Sequence, residues 1–168
     1  MRQLLACCFS LMLLALPARA LELAAGTGEA LPPLRFLDLE GNETGLDAYR
    51  GKVVVLNLWA TWCAPCREEM PSLDRLSTML DPDKAVVVAL SVDRAGPDRV
   101  RKFVDEVGVR NVQIMHDPKA QAARQLKVPG LPATIIVDAD GNEAGRLLGI
   151  AEWDSPEAVA AVEKVIGE

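Results

Sequence analysis

The sequence predicts an α/β fold in which helices flank a mixed central sheet. Two apolar runs, Val53–Trp59 and residues 85–92, have the pattern of strands that are covered on both faces. Helical patterns follow them at residues 64–80 and 98–107, the second with an apolar stripe along one face. Strands that alternate with helices form a sheet with helices packed on its faces. A late hairpin pattern around residues 140–141 adds antiparallel strands and makes the sheet mixed.

The remaining elements follow from apolar periodicity bounded by turn and cap residues. They are a hairpin of residues 34–39 and 43–46, a strand at residues 112–115, a small helix from Asp117-Pro118 to about Leu126, and a last helix that begins at Ser155-Pro156. Asp117 and Ser155 are cap residues, and the proline after each suits a first helical turn. Pro71 should kink the first helix because it removes one backbone donor.

The chain is predicted to consist of a targeting segment, a linker and one domain. Residues 1–20 combine a basic start, an apolar run and an Ala-x-Ala ending, which is the pattern of a secretory signal peptide cleaved after Ala20. An uncleaved anchor is the alternative, although the run is shorter than the about twenty residues of a membrane span. Residues 21–33 are predicted to be a linker and residues 34–168 the domain. We therefore expect a periplasmic protein, either soluble or tethered.

The composition narrows the class of protein. The 168 residues, half of them apolar and a quarter charged, suit one globular domain with a sizeable core. The net charge is −6, and Lys and Arg do not cluster along the sequence. Nucleic acid is excluded as a partner on this basis, because phosphate contacts need a basic face. We expect a monomer.

Cys63 and Cys66 are the residues predicted to be reactive. They follow the strand Val53–Trp59 and lie at the start of a helix. A cysteine at a helix start meets unpaired amide donors and the positive end of the helix dipole, which favour its thiolate. The second cysteine is one turn along and can close a disulfide with the first. Because Cys7 and Cys8 lie in the targeting segment, too few cysteines remain for a structural zinc site with four ligands. The pair is predicted to be a reversible dithiol, with Cys63 as nucleophile and Cys66 as resolving thiol.

Four segments of the chain resemble the TlpA-type extracytoplasmic thiol:disulfide reductases. They are Trp59-Ala60-Thr61-Trp62-Cys63-Ala64-Pro65-Cys66, Arg67-Glu68-Glu69-Met70-Pro71, Leu131-Pro132-Ala133-Thr134 and Ala151-Glu152-Trp153. The resemblance covers roughly residues 30–166. It implies a thioredoxin-like fold with an N-terminal β-hairpin extension and a central helix–strand insertion around residues 96–116.

The resemblance also implies a substrate-binding surface. The Leu131–Pro132 peptide bond is expected to be cis, which would bring the backbone of Leu131 beside Cys63. An extended partner could then pair with that backbone as an added strand. Trp62 has two interpretations, a flat contact surface over the dithiol or a buried filler residue.

Asn57 departs from thioredoxins proper, which carry an aspartate at this position that helps to move protons. Asparagine does not titrate. Glu69 is the candidate substitute, because it lies three residues after Cys66 on the same helical face, and TlpA-like reductases have a glutamate near the thiols at this offset. The alternative is a solvated helix glutamate like Glu68. His116, the one histidine, is predicted to be a loop or surface residue.

The predicted function is that of an exported thiol:disulfide oxidoreductase that works mainly as a reductant and needs no organic cofactor. The resemblance implies disulfide-containing proteins as substrates, a membrane thiol transporter of the DsbD or CcdA kind as electron donor, and a role in cytochrome or metal-site biogenesis. A DsbA-like oxidant or isomerase shares the chemistry. A Sco-like copper-delivery module would have a Cys-x-x-x-Cys pair and a distant histidine. A peroxiredoxin would have threonine three residues before its cysteine, where this chain has Ala60.

Overall fold

The computed structural model describes residue 21 and residues 23–167. The predicted signal peptide, residues 1–20, lies outside the described residues. The strands are β1 (Ala24–Ala25), β2 (Arg35–Leu37), β3 (Glu43–Gly45), β4 (Val53–Trp59), β5 (Ala85–Ser91), β6 (Gln113–His116), β7 (Ala133–Val137) and β8 (Glu143–Leu148). The helices are α1 (Ala64–Met79), α2 (Pro97–Val107), α3 (Gln121–Gln125) and α4 (Pro156–Ile166). No helix in this described part is long and apolar enough to span a bilayer.

The strands form one sheet in the order β1-β8-β7-β4-β5-β6-β2-β3. The β4–β5 and β5–β6 pairs are parallel, and the other pairs are antiparallel. The sheet is therefore mixed, as predicted. The N-terminal hairpin β2–β3 continues the sheet beyond β6, to which β2 is joined by the pair Leu37 and His116.

Both faces of the central strand are buried, which explains its continuous apolar sequence. Successive side chains of a strand point to opposite faces. The apolar odd-numbered residues of β4 belong to the core that includes side chains of α1, α2 and α4, and the even-numbered residues belong to the core that includes Ala122 of α3. Asn57 has an odd number, so the strand directs this polar side chain toward the face covered by α1.

Two hairpin turns are stabilised by the same arrangement of an aspartate, a glycine and an asparagine. In each, an aspartate accepts hydrogen bonds from the backbone and the side chain of an asparagine four residues later: Asp38 from Asn42, and Asp138 from Asn142. The glycine before each asparagine has a positive φ, 91° and 84° respectively, which glycine adopts at little cost. The predicted turns at Gly41 and at residues 140–141 are thus formed.

The segment predicted to be a linker contributes to the sheet. β1 pairs with β8, and Ala30 forms an isolated antiparallel bridge with Asn142. Gly26 makes this approach possible, because a Cβ atom there would overlap the backbone of Glu143 and Ala144. A short segment of small residues can therefore lie along an edge strand without the alternating pattern that identifies a strand in the sequence.

The small helix begins later than predicted. Asp117 does not open it directly, because its backbone carbonyl accepts from Ala120 in a preceding turn, where Ala120 has a φ of 49°. The Asp117 carboxylate instead accepts from the backbone N–H of Ala122, at 2.8 Å. The last helix begins as predicted, with the Ser155 hydroxyl accepting from the N–H of Ala158.

Candidate active site

Cys63 and Cys66 lie where β4 leads into α1, at the end of the central strand. They form a disulfide bond. Cys63 is the N-cap residue of α1, and its sulfur accepts a hydrogen bond from the backbone N–H of Cys66 at 3.3 Å. Pro65 occupies the first turn, where a backbone N–H would find no partner within the helix. The predicted position of the pair at a helix start is confirmed.

The two cysteines differ in access to solvent. Cys63 keeps 6% of its surface exposed, whereas Cys66 is fully buried. Cys63 is therefore the more accessible of the two residues to an incoming disulfide. The helix N-terminus favours negative charge at the Cys63 sulfur.

In the reduced protein, Cys63 is therefore expected to react with iodoacetamide faster than Cys66. Partial alkylation at several pH values, followed by tandem mass spectrometry of the peptide that carries both cysteines, measures the two rates. The denatured, reduced protein is the control, because both cysteines are then equally accessible. Equal rates in the folded protein, or a faster Cys66, would contradict the assignment of Cys63 as nucleophile.

Glu69 is buried in the core behind the disulfide, with 2% of its surface exposed. The interpretation as a solvated helix glutamate is therefore wrong, and it fits the neighbouring Glu68, which is exposed. The side chain of Glu69 accepts from Asn57 Nδ2 at 2.7 Å, from Ala151 N at 3.2 Å and from Trp153 Nε1 at 3.3 Å. All three partners are donors, so each hydrogen bond favours the charged carboxylate.

Burial opposes these hydrogen bonds. Removing a carboxylate from water disfavours its charged form, and this effect is the largest at Glu69. The pKa of Glu69 is raised from 4.5 to about 7. A carboxyl group with a pKa near neutrality can accept a proton and release it again at physiological pH.

Asn57 connects β4 and β7 to Glu69. Its Nδ2 atom donates both to Glu69 and to the hydroxyl of Thr134, which lies opposite Asn57 in the β4–β7 register. Its Oδ1 atom is buried and has no hydrogen-bond partner among the described residues. Asn57 therefore fixes the position of the carboxylate but does not titrate.

The loop before α4 completes the pocket around Glu69. Its Ala151 and Trp153 donate to the carboxylate, and the backbone N–H of Trp153 also donates to the Ser72 hydroxyl, at 3.1 Å. Trp153 is fully buried. In the sequence, Ala151-Glu152-Trp153 contributes to the family resemblance but gives no indication of a contact with Glu69. The two segments are about eighty residues apart, so only the fold brings them together.

An apolar surface surrounds the disulfide. Trp62, next to Cys63, is 64% exposed, so the interpretation of this residue as buried filler is wrong. Leu131 is partly buried and packs against the core that contains both cysteines. The Leu131–Pro132 bond is cis, as the resemblance implied.

Two further apolar residues on this side were not predicted. Leu148 and Ile150 are exposed and flank Gly149, whose N–H donates to the Pro132 carbonyl at 2.9 Å. Their position beside the cis-proline segment makes them candidates for contact with a partner protein. The signal in the sequence is weak: Leu148 is an apolar residue at the solvent-facing end of an alternating strand.

A second buried polar cluster holds the turn before Cys63. The Asp93 carboxylate accepts from the backbone N–H and the hydroxyl of Thr61, both at 2.8 Å, and Arg99 Nε lies 3.0 Å from the Thr61 hydroxyl oxygen. The ring of His116 contacts the Asp93 carbonyl oxygen at 2.8 Å. The prediction that His116 is a loop or surface residue is wrong, because β6 extends one residue further than expected and His116 is buried at its end.

The described residues include no group of three or more His, Cys, Asp or Glu side chains arranged to hold a metal ion. The site therefore consists of a disulfide, a buried carboxyl group behind it and an apolar surface around it. This combination permits thiol–disulfide exchange with a partner that docks on the surface.

Comparison with known families agrees with this chemistry. A family model described as the AhpC/TSA family matches residues 27–142. The chain belongs to the AhpC/TSA family. A family member of the peroxiredoxin type would carry threonine at the position of Ala60, so the comparison with individual members decides the branch.

Of two such relatives, one is named a thiol-disulfide oxidoreductase and the other a thioredoxin-like protein. The chain is 35% identical over 119 residues to thiol-disulfide oxidoreductase ResA of Geobacillus thermodenitrificans (strain NG80-2), a match that covers 71% of this chain and 67% of the relative. It is also 35% identical over 122 residues to thioredoxin-like protein YneN of Bacillus subtilis (strain 168), covering 71% and 70% respectively.

A crystal structure from Chlorobium tepidum, described as a thiol:disulfide interchange protein DsbE, has the same fold. It superposes with a TM-score of 0.75 at 26% identity, over 86% of this chain and 99% of that one. Within the AhpC/TSA family the chain is thus a TlpA-type, thioredoxin-like thiol:disulfide oxidoreductase. The predicted fold class, family and enzyme class are confirmed.

Proposed function

We propose that this enzyme works as a reductant of disulfide bonds in partner proteins, with Cys63 as nucleophile and Cys66 as resolving thiol. The observation that carries the proposal is the position of Cys63. The sulfur of Cys63 caps α1, and the residue is partly accessible to solvent, whereas Cys66 is fully buried.

The reaction has two exchange steps. The Cys63 thiolate attacks one sulfur of the partner disulfide, which forms a mixed disulfide and releases the other partner sulfur as a thiolate. The Cys66 thiolate then attacks the Cys63 sulfur, which releases the second partner thiolate and forms the Cys63–Cys66 bridge. Two electrons pass from the dithiol to the partner, whose thiolates take up protons according to their own pKa values.

Glu69 is proposed to act in the second step. Cys66 must lose its proton before it attacks the mixed disulfide, and Glu69 lies one helical turn after it on the same face. The carboxylate is desolvated, and its pKa of about 7 suits a proton acceptor near neutral pH. Its negative charge also disfavours an early Cys66 thiolate, which keeps this thiol neutral until the partner is bound.

The place of the reaction is inferred from the targeting pattern of residues 1–20, which predicts export to the periplasm. In an oxidising compartment the Cys63–Cys66 bridge must be reduced again, and the proposed donor is a membrane thiol transporter of the DsbD or CcdA kind. The proposed substrates are protein cysteines that must be reduced before haem or metal loading, in cytochrome biogenesis. We propose that Trp62, Leu131 and Pro132 contact these substrates and that the enzyme is a monomer.

The redox potential tests the direction of electron flow. A reductant is expected to have a potential in the thioredoxin-to-glutaredoxin range, about −270 to −200 mV, and not near the about −120 mV of DsbA. Equilibration with glutathione buffers and quantification of the oxidised fraction measures it. The Cys66→Ser variant is the control, because it cannot form the intramolecular bridge. A potential near that of DsbA would place the enzyme among the oxidants.

A further inference from the structure

A groove is lined by Trp62, the residue before Cys63, and by the segment that follows β5. Its volume is about 380 Å³. Its lining includes Trp62 and Leu131, together with residues 92–95 and Arg99. The segment around α3 contributes small and apolar residues to the lining, namely Ala120, Ala123, Val128, Pro129 and Gly130. The groove is therefore continuous with the surface that a partner disulfide must approach.

The charges that the groove presents to solvent are positive. Arg94 and Arg99 line it and are exposed. Within residues 23–167, Arg94 makes no hydrogen bond or ion pair, whereas Arg99 also reaches back to Thr61. The one acidic residue in the lining, Asp93, is buried and accepts hydrogen bonds with both carboxylate oxygens.

The segment around α3, which contributes to the lining, is also basic in sequence. Residues 118–137 contain three cations and no Asp or Glu, although the whole chain has a net charge of −6. The three cations are exposed; they are Lys119, Arg124 and Lys127. The exposed acid next to Arg99 in the sequence, Asp98, is paired with Arg101 at 3.0 Å. In this acidic protein, the exposed charges of the groove lining are therefore Arg94 and Arg99, and the segment around α3 that contributes to the lining has three exposed cations and no acid.

We propose that this groove binds an acidic segment of the substrate protein, close to the cysteine that Cys63 attacks. The apolar residues of the lining provide contact for the substrate chain, and the guanidinium groups of Arg94 and Arg99 bind its carboxylates. Arg94 would determine specificity, because no partner within the described residues competes for it. The inference rests on the proposed function and specifies the substrate class of the same site.

Charges of opposite sign on the two partners raise the rate at which they associate and the selectivity between substrates. Salt screens both effects. One exposed ion pair is worth a factor of about two to five in an equilibrium or rate constant. Because two arginines, Arg94 and Arg99, line this groove, we expect the enzyme to prefer an acidic over a basic substrate by about tenfold at low ionic strength.

The test uses single-turnover reduction of synthetic peptides by the reduced full chain, which needs no electron donor. Each peptide carries one internal disulfide, and three peptides differ only in the two residues after one cysteine: Asp-Asp, Ser-Ser or Lys-Lys. Tryptophan fluorescence or quenched-flow alkylation gives the second-order rate constant at 20 mM and 500 mM salt. The expected order is acidic, neutral, basic, with the ratio between acidic and basic approaching one at high salt.

Arg94→Glu is expected to reduce the acidic-to-basic ratio by about tenfold or to invert it. Arg50→Glu is the matched control. It makes the same change of charge at an exposed residue before the start of β4, at the end of that strand opposite Cys63, and should keep the ratio of the parent. Equal rate constants for the three peptides, or equal losses of the ratio in both variants, would overturn the groove proposal alone. Failure of the parent to reduce any peptide would overturn the proposed function as well.

Discussion

Replacing Cys63 with serine is expected to reduce disulfide exchange to the uncatalysed background. A serine hydroxyl cannot form the sulfur–sulfur bond of the mixed disulfide, and Cys66 is fully buried, so it cannot replace Cys63 in the first attack. The measurement is the reduction of a disulfide peptide by the pre-reduced protein, with the parent at the same concentration.

The Cys63→Ser variant lacks both the disulfide bond and the attacking thiol, so the effect on stability must be measured separately from the effect on activity. The reduced parent is the suitable comparison for stability, because it also lacks the disulfide. The variant should unfold in denaturant with the same midpoint as the reduced parent, while its activity is absent. Substantial activity in a folded Cys63→Ser protein would show that another residue attacks the substrate.

Replacing Glu69 with glutamine is expected to slow substrate reduction by about 10²-fold at pH 7, at the low end of what a general base contributes. The parent rate should rise with pH through the pKa of Glu69, about 7, because only the carboxylate accepts the proton of Cys66. The rate of the variant should not show this rise with pH. Reduction of a peptide disulfide between pH 5.5 and 8.5 measures both effects.

Glu68→Gln is the matched control, because Glu68 is exposed and points about a hundred degrees away around the helix. It should behave like the parent at every pH. If Glu69→Gln also keeps the parent rate and profile, water or the partner accepts the proton and Glu69 has only a structural role.

Glu69 should also make the free energy of unfolding depend on pH. Because its pKa is raised in the folded oxidised protein, the native state binds this proton more tightly than the unfolded chain. The contribution of Glu69 to the free energy of unfolding therefore falls as pH rises from about 4.5 to about 7, and it is constant above that. The loss is about 3 kcal/mol. Denaturant unfolding of the oxidised parent and Glu69→Gln at pH 4.5 and 7.5 should show this difference in slope.

The parts that sequence analysis predicted well are those with local causes. The continuous apolar pattern of β4 and β5 requires cover on both faces, and Cys63 caps α1 because it lies between that strand and a proline-bearing helix start. The turns at Gly41 and Gly141 need a positive φ, which the sequence also indicates.

The parts that could not be predicted depend on contacts between distant segments. The burial of Glu69 requires Ala151 and Trp153 to reach it from the far end of the chain. His116 is buried because the cluster around Asp93 accommodates its ring. The exposure of Trp62 is likewise undetermined by sequence, because a tryptophan beside a cysteine suits a core and a contact surface equally well.

Trapping with the Cys66→Ser variant identifies the attacking sulfur directly. Without the resolving thiol, the first exchange step should stop at a mixed disulfide between Cys63 and the substrate. Incubation of the reduced variant with a disulfide peptide, followed by non-reducing peptide mapping, locates the bond. We expect a stoichiometric adduct on Cys63 that dithiothreitol releases. A variant that forms no adduct, or an adduct at another residue, would contradict the assignment of Cys63 as the nucleophile.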